Sequence, residues 1–253
     1  MRSGDLTGDV YGPLRRDDAW ADPVRPGGPP PRTPPVTDPL GPLGPPGPAA
    51  WPGESVVVPA APVRLTARLT LPERPRGVVA VTMGNGARTV ATALHDGGLG
   101  TLLLDLLTAE ETGDRHLLFD VPLLARRLGA ACHWLGARTG LPVGCAGDGP
   151  ASAAAIEAAA ADPGIRAIVS LDGRPELASP SALDRVRAPV LLVVGEGETR
   201  LLGRNRLAAG WMRGRHETAE LPGVSRSVMA AGTTELVTTL SRDWFGRHLD
   251  GRS

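Results

Sequence analysis

The 253-residue chain is long enough to bury one substantial core, with 42% hydrophobic residues and 27 Lys+Arg balanced by 27 Asp+Glu, a formal net charge of zero. That balance, without a block of like charge, argues against an electrostatic nucleic-acid surface, so no nucleic acid is expected as a partner. Every one of the 27 basic residues is arginine, which excludes a P-loop lysine, a pyridoxal Schiff base and the Ser-x-x-Lys nucleophile systems.

Residues 1–52 hold more than half of the chain's 26 prolines, in runs such as Gly27-Gly28-Pro29-Pro30-Pro31. A segment of this kind buries too little apolar area to offset ordering, so it is expected to be disordered or transiently polyproline II, separate from a folded domain over 53–253. Its Pro-x-x-Pro spacings, Pro31 to Pro34 and Pro42 to Pro45, could dock an aromatic groove, but such spacings are inevitable at this proline density and a solvated tail is the favoured reading. The polar N-terminus lacks an apolar core of the signal-peptide kind, and no apolar run approaches ~18 residues. The reading is a cytoplasmic chain with no membrane partner.

From Val56 onward short apolar runs alternate with helical stretches, the pattern of a parallel sheet with crossover helices. Residues 63–71 alternate like an exposed edge strand. Residues 78–81, 101–104, 143–146, 165–169 and 190–194 are continuous enough to be buried on both faces. Between the second and third of these, Val121, Leu124, Leu128, Ala131 and Leu135 share a helical face, with Asp120 as N-cap and Pro122 in the first turn. Leu236, Leu240 and Trp244 form a second stripe near the C-terminus. Right-handed crossovers make this an α/β fold, a doubly wound, mostly parallel sheet with helices on both faces.

Two cysteines, Cys132 and Cys145, lack Cys-x-x-Cys spacing, and five histidines are scattered, so neither a metal site nor a cofactor is expected. His133 shares a solvated helical face with Arg126, and His248 belongs to a last helical turn, where a cation suits the dipole. His95 and His216 are expected in connecting segments, and His116 on a loop.

Several segments carry a family resemblance. They are Leu102-Leu103-Leu104-Asp105-Leu106-Leu107, His116-Leu117-Leu118-Phe119-Asp120-Val121-Pro122-Leu123-Leu124, Asp172-Gly173-Arg174-Pro175-Glu176-Leu177, Arg187-Ala188-Pro189-Val190-Leu191-Leu192 and Arg242-Asp243-Trp244-Phe245-Gly246-Arg247-His248-Leu249. Over residues 63–249 the chain resembles the dienelactone hydrolase branch of the α/β-hydrolases. The resemblance implies an α/β-hydrolase fold with a nucleophile elbow, an acid after a later strand and a histidine after the last strand. Counting from Leu141-Pro142-Val143-Gly144 puts the elbow tip at Gly149, where the family carries Ser or Cys, followed by Pro150, which has no N–H for an oxyanion. The acid position falls on Glu198. Pro222-Gly223-Val224-Ser225 leads to Arg226 at the histidine position, and the loop after the first buried strand reads Met83-Gly84-Asn85-Gly86.

A triad without nucleophile or histidine loses about 10⁶ in turnover, so the resemblance implies a catalytically degenerate protein, a binding or interaction scaffold for an unknown small molecule or protein. Its pocket at the former active site is expected to draw on Met83, Gly84, Asn85, Asp148, Gly149, Pro150, Glu198 and Arg226, with Glu198 and Arg226 paired. Two other readings stay open. One is an active ester or lactone hydrolase with a displaced nucleophile, Cys145 or Asp148, of which Cys145 also reads as a buried strand thiol. The other is a Rossmann-like nucleotide-binding protein, because Gly84-Asn85-Gly86 follows a strand and Asp105 ends the next, although Thr89 stands at the third glycine position.

Overall fold

The computed structural model describes residues 53–224, 227–230 and 232–250, so the proline-rich arm and Arg226 lie outside the described residues. Eight strands form one sheet in the order β1-β2-β4-β3-β5-β6-β7-β8. The apolar runs read from the sequence become β3 (Val78–Thr82), β4 (Gly100–Leu104), β5 (Val143–Asp148), β6 (Ile165–Gly173) and β7 (Val190–Gly195), paired in parallel. Their residues are mostly apolar and buried because helices cover both faces. On one face the core is built with α3 (Val121–Thr139), α4 (Gly149–Ala161), α5 (Pro180–Arg185) and α6 (Thr199–Trp211). On the other it is built with α1 (Ala87–Asp96) and α7 (Thr234–Leu249). A further short helix, α2 (Arg115–Leu118), precedes α3.

The sheet edges differ from expectation. Residues 63–71 do not form an edge: β2 (Val63–Thr70) lies between β1 (Glu54–Ala60) and β4, antiparallel to both. Both hairpin strands alternate because one face meets the core and the other faces solvent, so alternation alone does not distinguish an edge from its neighbour. At the opposite edge, β8 (His216–Leu221) pairs with β7, which places His216 in a strand rather than a connection. Its polar sequence, His-Glu-Thr-Ala-Glu-Leu, hides it from a hydrophobic-run reading and suits an edge. His95 likewise belongs to the last turn of α1, not to a loop.

The helix reading of α3 holds residue by residue. Val121, Leu124, Leu128, Ala131 and Leu135 are buried, and the Asp120 side chain accepts the Leu123 N–H at 2.9 Å, with Pro122 in the first turn. In α7 the buried stripe is rotated: Val237, Ser241, Trp244 and Phe245 are buried, whereas Leu236 is exposed. His248 does lie in the last turn, but it packs edge-on against Trp244 with 4.6 Å between centroids, and burial lowers its pKa, so packing opposes the cationic form expected at a helix end.

The turn from β5 into α4 is set by two glycines with different reasons. Gly149 has φ +46°, a left-handed conformation that costs a larger residue ~1–2 kcal/mol, yet a Cβ there would project into open space. Gly147 has ordinary backbone but no room: a Cβ would sit 2.8 Å from the Ala151 carbonyl carbon and 2.9 Å from its oxygen. The strand thus runs against the first turn of its own helix, and Pro150 fits that first turn because no intrahelical N–H is required there.

One ion pair anchors the long connection between β4 and α3. The Arg127 guanidinium, with 4% of its side chain exposed, donates to both Glu111 carboxylate oxygens at 2.6 and 2.8 Å and to the Leu106 carbonyl at 2.8 Å. Arg127 holds the Glu111 carboxyl down from 4.5 to about 2, with the Thr108 N–H assisting. A pKa lowered in the folded state supplies stability that is full above about 4.5 and is lost as pH falls through about 2.

Two outcomes follow in chemical denaturation. Glu111→Gln should cost about 2 kcal/mol near pH 7, between the exposed and fully buried limits, with the gap to the parent closing below pH ~4. Gly147→Ala should cost ~2–3 kcal/mol, through overpacking against backbone, and more than Gly149→Ser at ~1–2 kcal/mol.

Candidate functional site

The direction of sheet growth reverses between β3 and β5, and in such sheets the crevice outside the carboxyl ends of the strands at the reversal is where ligands bind. Acidic residues follow successive parallel strands at this edge. Asp105 comes after β4, Asp148 ends β5, Asp172 lies at the end of β6 and Glu198 follows β7.

Asp148 sits at the reversal itself. Its Oδ2 accepts the Asn85 backbone N–H at 3.1 Å, and its carboxylate lies so close over Gly84 that any side chain there would collide with it. Asn85 is fixed in turn by its Nδ2, which donates to the Ser227 hydroxyl at 2.9 Å. Burial pushes the Asp148 carboxyl above its ordinary range and the charge of Asp172 adds to the push, against the restraining Asn85 N–H. The amide after β3 that could face a developing oxyanion is therefore already bonded to a carboxylate.

Beside Asp148 opens a cavity of about 270 Å³. Leu106, Leu107, Leu118 and Leu124 supply apolar wall, and Met83, Gly84 and the turn residues 148–151 complete the lining. Asp105 contributes a second carboxylate, and its Oδ1 accepts the Leu107 N–H at 3.0 Å. The Arg127–Glu111 pair fixes this wall through the Leu106 carbonyl. Of the eight residues expected around the pocket, Met83, Gly84, Asp148, Gly149 and Pro150 line it. Asn85 stands behind Asp148, and Glu198 does not line it.

Glu198 instead starts α6 and bears on Asp172. Asp172 has φ +44°, the one non-glycine residue in the left-handed region among those described, and its Oδ2 accepts the Val228 N–H at 2.7 Å. Burial pushes its carboxyl up, the Val228 N–H and Ser227 hydroxyl restrain it, and the Glu198 charge raises it further. Asp172 ties the segment after β8 to the sheet, a role the sequence reading missed; the signal was an Asp-Gly pair ending a buried strand. The expected Glu198–Arg226 pair lies outside the described residues. Behind the turn, the Ser152 hydroxyl donates to the Gly149 carbonyl and accepts the Arg174 N–H, both at 2.8 Å, and so pins the turn to the loop after β6.

The displaced-nucleophile candidates separate. Cys145 is fully buried in β5 against Cys132, whose thiol is pushed well above its usual range by the Cys145 sulfur and by burial. Cys145 is not among the cavity-lining residues, which corrects it as a nucleophile candidate. Asp148 does line the cavity. His133 is exposed on α3 and His116 exposed on α2, and neither lines the cavity. Before α1, the space expected to hold a pyrophosphate in the nucleotide reading is taken by the Asp148 carboxylate at Gly84 and by Met229, which a Cβ on Gly86 would strike. Among the described residues, no group of three His, Cys, Asp or Glu side chains is arranged to hold a metal ion, and no helix is long and apolar enough to cross a membrane.

No family model matches the chain. Its sequence is 41% identical over 210 aligned positions to a protein of Mycobacterium tuberculosis H37Rv provisionally named a phosphoribosyl transferase, the alignment covering 78% of this chain and 47% of that one. The chain thus spans about half the length of the curated relatives it matches. Among solved structures, a dienelactone hydrolase from Anabaena variabilis is 36% identical, with TM-score 0.74, covering 78% of this chain and 98% of that one. A dienelactone hydrolase-like promiscuous phosphotriesterase from metagenomic libraries, 19% identical with TM-score 0.63 over 78% of this chain and 98% of that one, shares the fold. Sheet order, elbow-shaped turn and sequence identity along almost the whole of the Anabaena enzyme agree, and the chain belongs to the dienelactone hydrolase family of α/β-hydrolases.

Proposed function

We propose that this protein is a catalytically retired member of its family that binds a small molecule in the cavity beside Asp148 without hydrolysing it. The observation that carries the reading is the turn itself. Gly149 holds the left-handed conformation of an elbow tip and its missing side chain would point into open space, so the geometry of a nucleophile is kept while no nucleophile stands there. Pro150 has no N–H to offer an oxyanion, and the Asn85 N–H already serves Asp148. Loss of a triad nucleophile costs about 10⁶ in turnover, or ~8–9 kcal/mol of barrier, and the residual rate of such enzymes depends on the very donors that are gone here.

Two rival readings draw less support. An Asp148 nucleophile would have to leave the Asn85 N–H to attack, and among the described residues no histidine stands at the cavity to activate water against an acyl-aspartate. The name carried by the mycobacterial relatives does not suit this cavity, because a phosphoribosyl group bears a phosphate and the described lining offers two carboxylates and no cation.

The test is steady-state turnover of activated esters and lactones. The parent protein should not exceed the buffer rate, and Gly149→Ser alone should not restore turnover. Robust turnover abolished by Asp148→Asn would overturn the proposal in favour of a working hydrolase.

A further inference from the structure

The ligand class follows from the chemistry of the cavity, an inference that rests on the binding reading above. The wall is hydrocarbon from Leu106, Leu107, Leu118 and Leu124, and the polar end is two carboxylates, Asp105 and Asp148, with no basic side chain among the lining residues. We propose that the cavity accepts a small cation with a compact apolar body, an alkyl or aryl amine or amidine, whose charged group seats on Asp148.

The two carboxylates differ in consequence. Asp105 is exposed and water screens it. Asp148 is half-buried at the junction of β3 and β5, and burial disfavours its charged form. The empty protein therefore already bears the cost of desolvating that carboxylate, offset by the Asn85 N–H. A seated ammonium returns a charge-assisted hydrogen bond where the surrounding medium is least polarisable, whereas an anionic ligand meets like charge there. At about 270 Å³ the cavity is at the small end of ligand sites, which limits the apolar body to roughly one ring and a short linker.

The carboxylate also fixes the ligand's direction. Asp148 lines the cavity at the elbow-shaped turn, and Leu118, 45% exposed, lines it from the short helix α2. The cationic group is thus directed to the strand end and the apolar body to the leucine wall. Asp148 makes no side-chain cap to α4; its Oδ2 accepts the Asn85 N–H instead.

Calorimetric titration of the full chain with three near-isosteric probes, 3-phenylpropylamine, 3-phenylpropanol and 3-phenylpropanoate, at neutral pH and fixed salt tests the assignment. The amine should bind at least tenfold tighter than the carboxylate, with the alcohol between. Asp148→Asn, which keeps an acceptor for the Asn85 N–H, should erase most of the amine's advantage while changing alcohol affinity less than about threefold. Leu118→Arg, at an exposed wall position, should shift preference toward the carboxylate even if the Asp148 variant folds poorly. Alcohol binding with no preference for the amine, or an amine preference unchanged in both variants, overturns the charge assignment and leaves the binding reading standing. If none of the three probes binds the parent protein, both fall.

Discussion

The hydrogen bond from the Asn85 backbone N–H to the Asp148 carboxylate joins the two strands on either side of the sheet's reversal, and much of the site is arranged around it. Any side chain at Gly84 would displace the carboxylate that lies over it, and Asn85 is held against Ser227 on the segment after β8. Asp172 ties that same segment to β6 through the Val228 N–H. A polar bridge thus runs from β5 through the loop after β3 to the chain beyond β8. The Asn85 amide is committed to the Asp148 carboxylate in the resting protein.

The scaffold beneath this bridge is under a different constraint. The close approach of β5 to α4 forces glycine at 147, and the left-handed turn favours glycine at 149, so losing a side chain at the tip relieves the fold of strain. A nucleophile at such a turn is an expense that selection for catalysis sustains. Glycine is the more stable choice at that turn, and proline at 150 stiffens the start of α4 where an N–H has no intrahelical partner.

How much of this was legible in the sequence depended on which physical signal each part uses. The five central strands and the α3 stripe could be read because burial on both faces or on one helical face imposes a pattern on the residues. The polar edge strand β8 and the rotation of the α7 stripe, where Val237 rather than Leu236 turns inward, were hidden because tertiary contacts decide them. Gly149 and Pro150 were visible as departures from a motif, but the position of Asp148 over Gly84 was not, since residues 84 and 148 meet only through sheet order. The leucine wall was likewise invisible. Leu106 and Leu118 stand in two segments that carry the family resemblance, but nothing in those segments tells that they share one wall, held where Arg127 binds Glu111 and the Leu106 carbonyl.

The central claim is that no residue of the turn forms a covalent bond with an acyl substrate. Intact-mass spectrometry during exposure to an excess of an activated ester, with quenching at early times, tests it most directly. The expected result is a single unmodified mass at every time point. A stoichiometric acyl adduct mapped to Asp148, appearing and decaying with ester consumption, would contradict the account and make the chain a hydrolase whose nucleophile has moved by one residue.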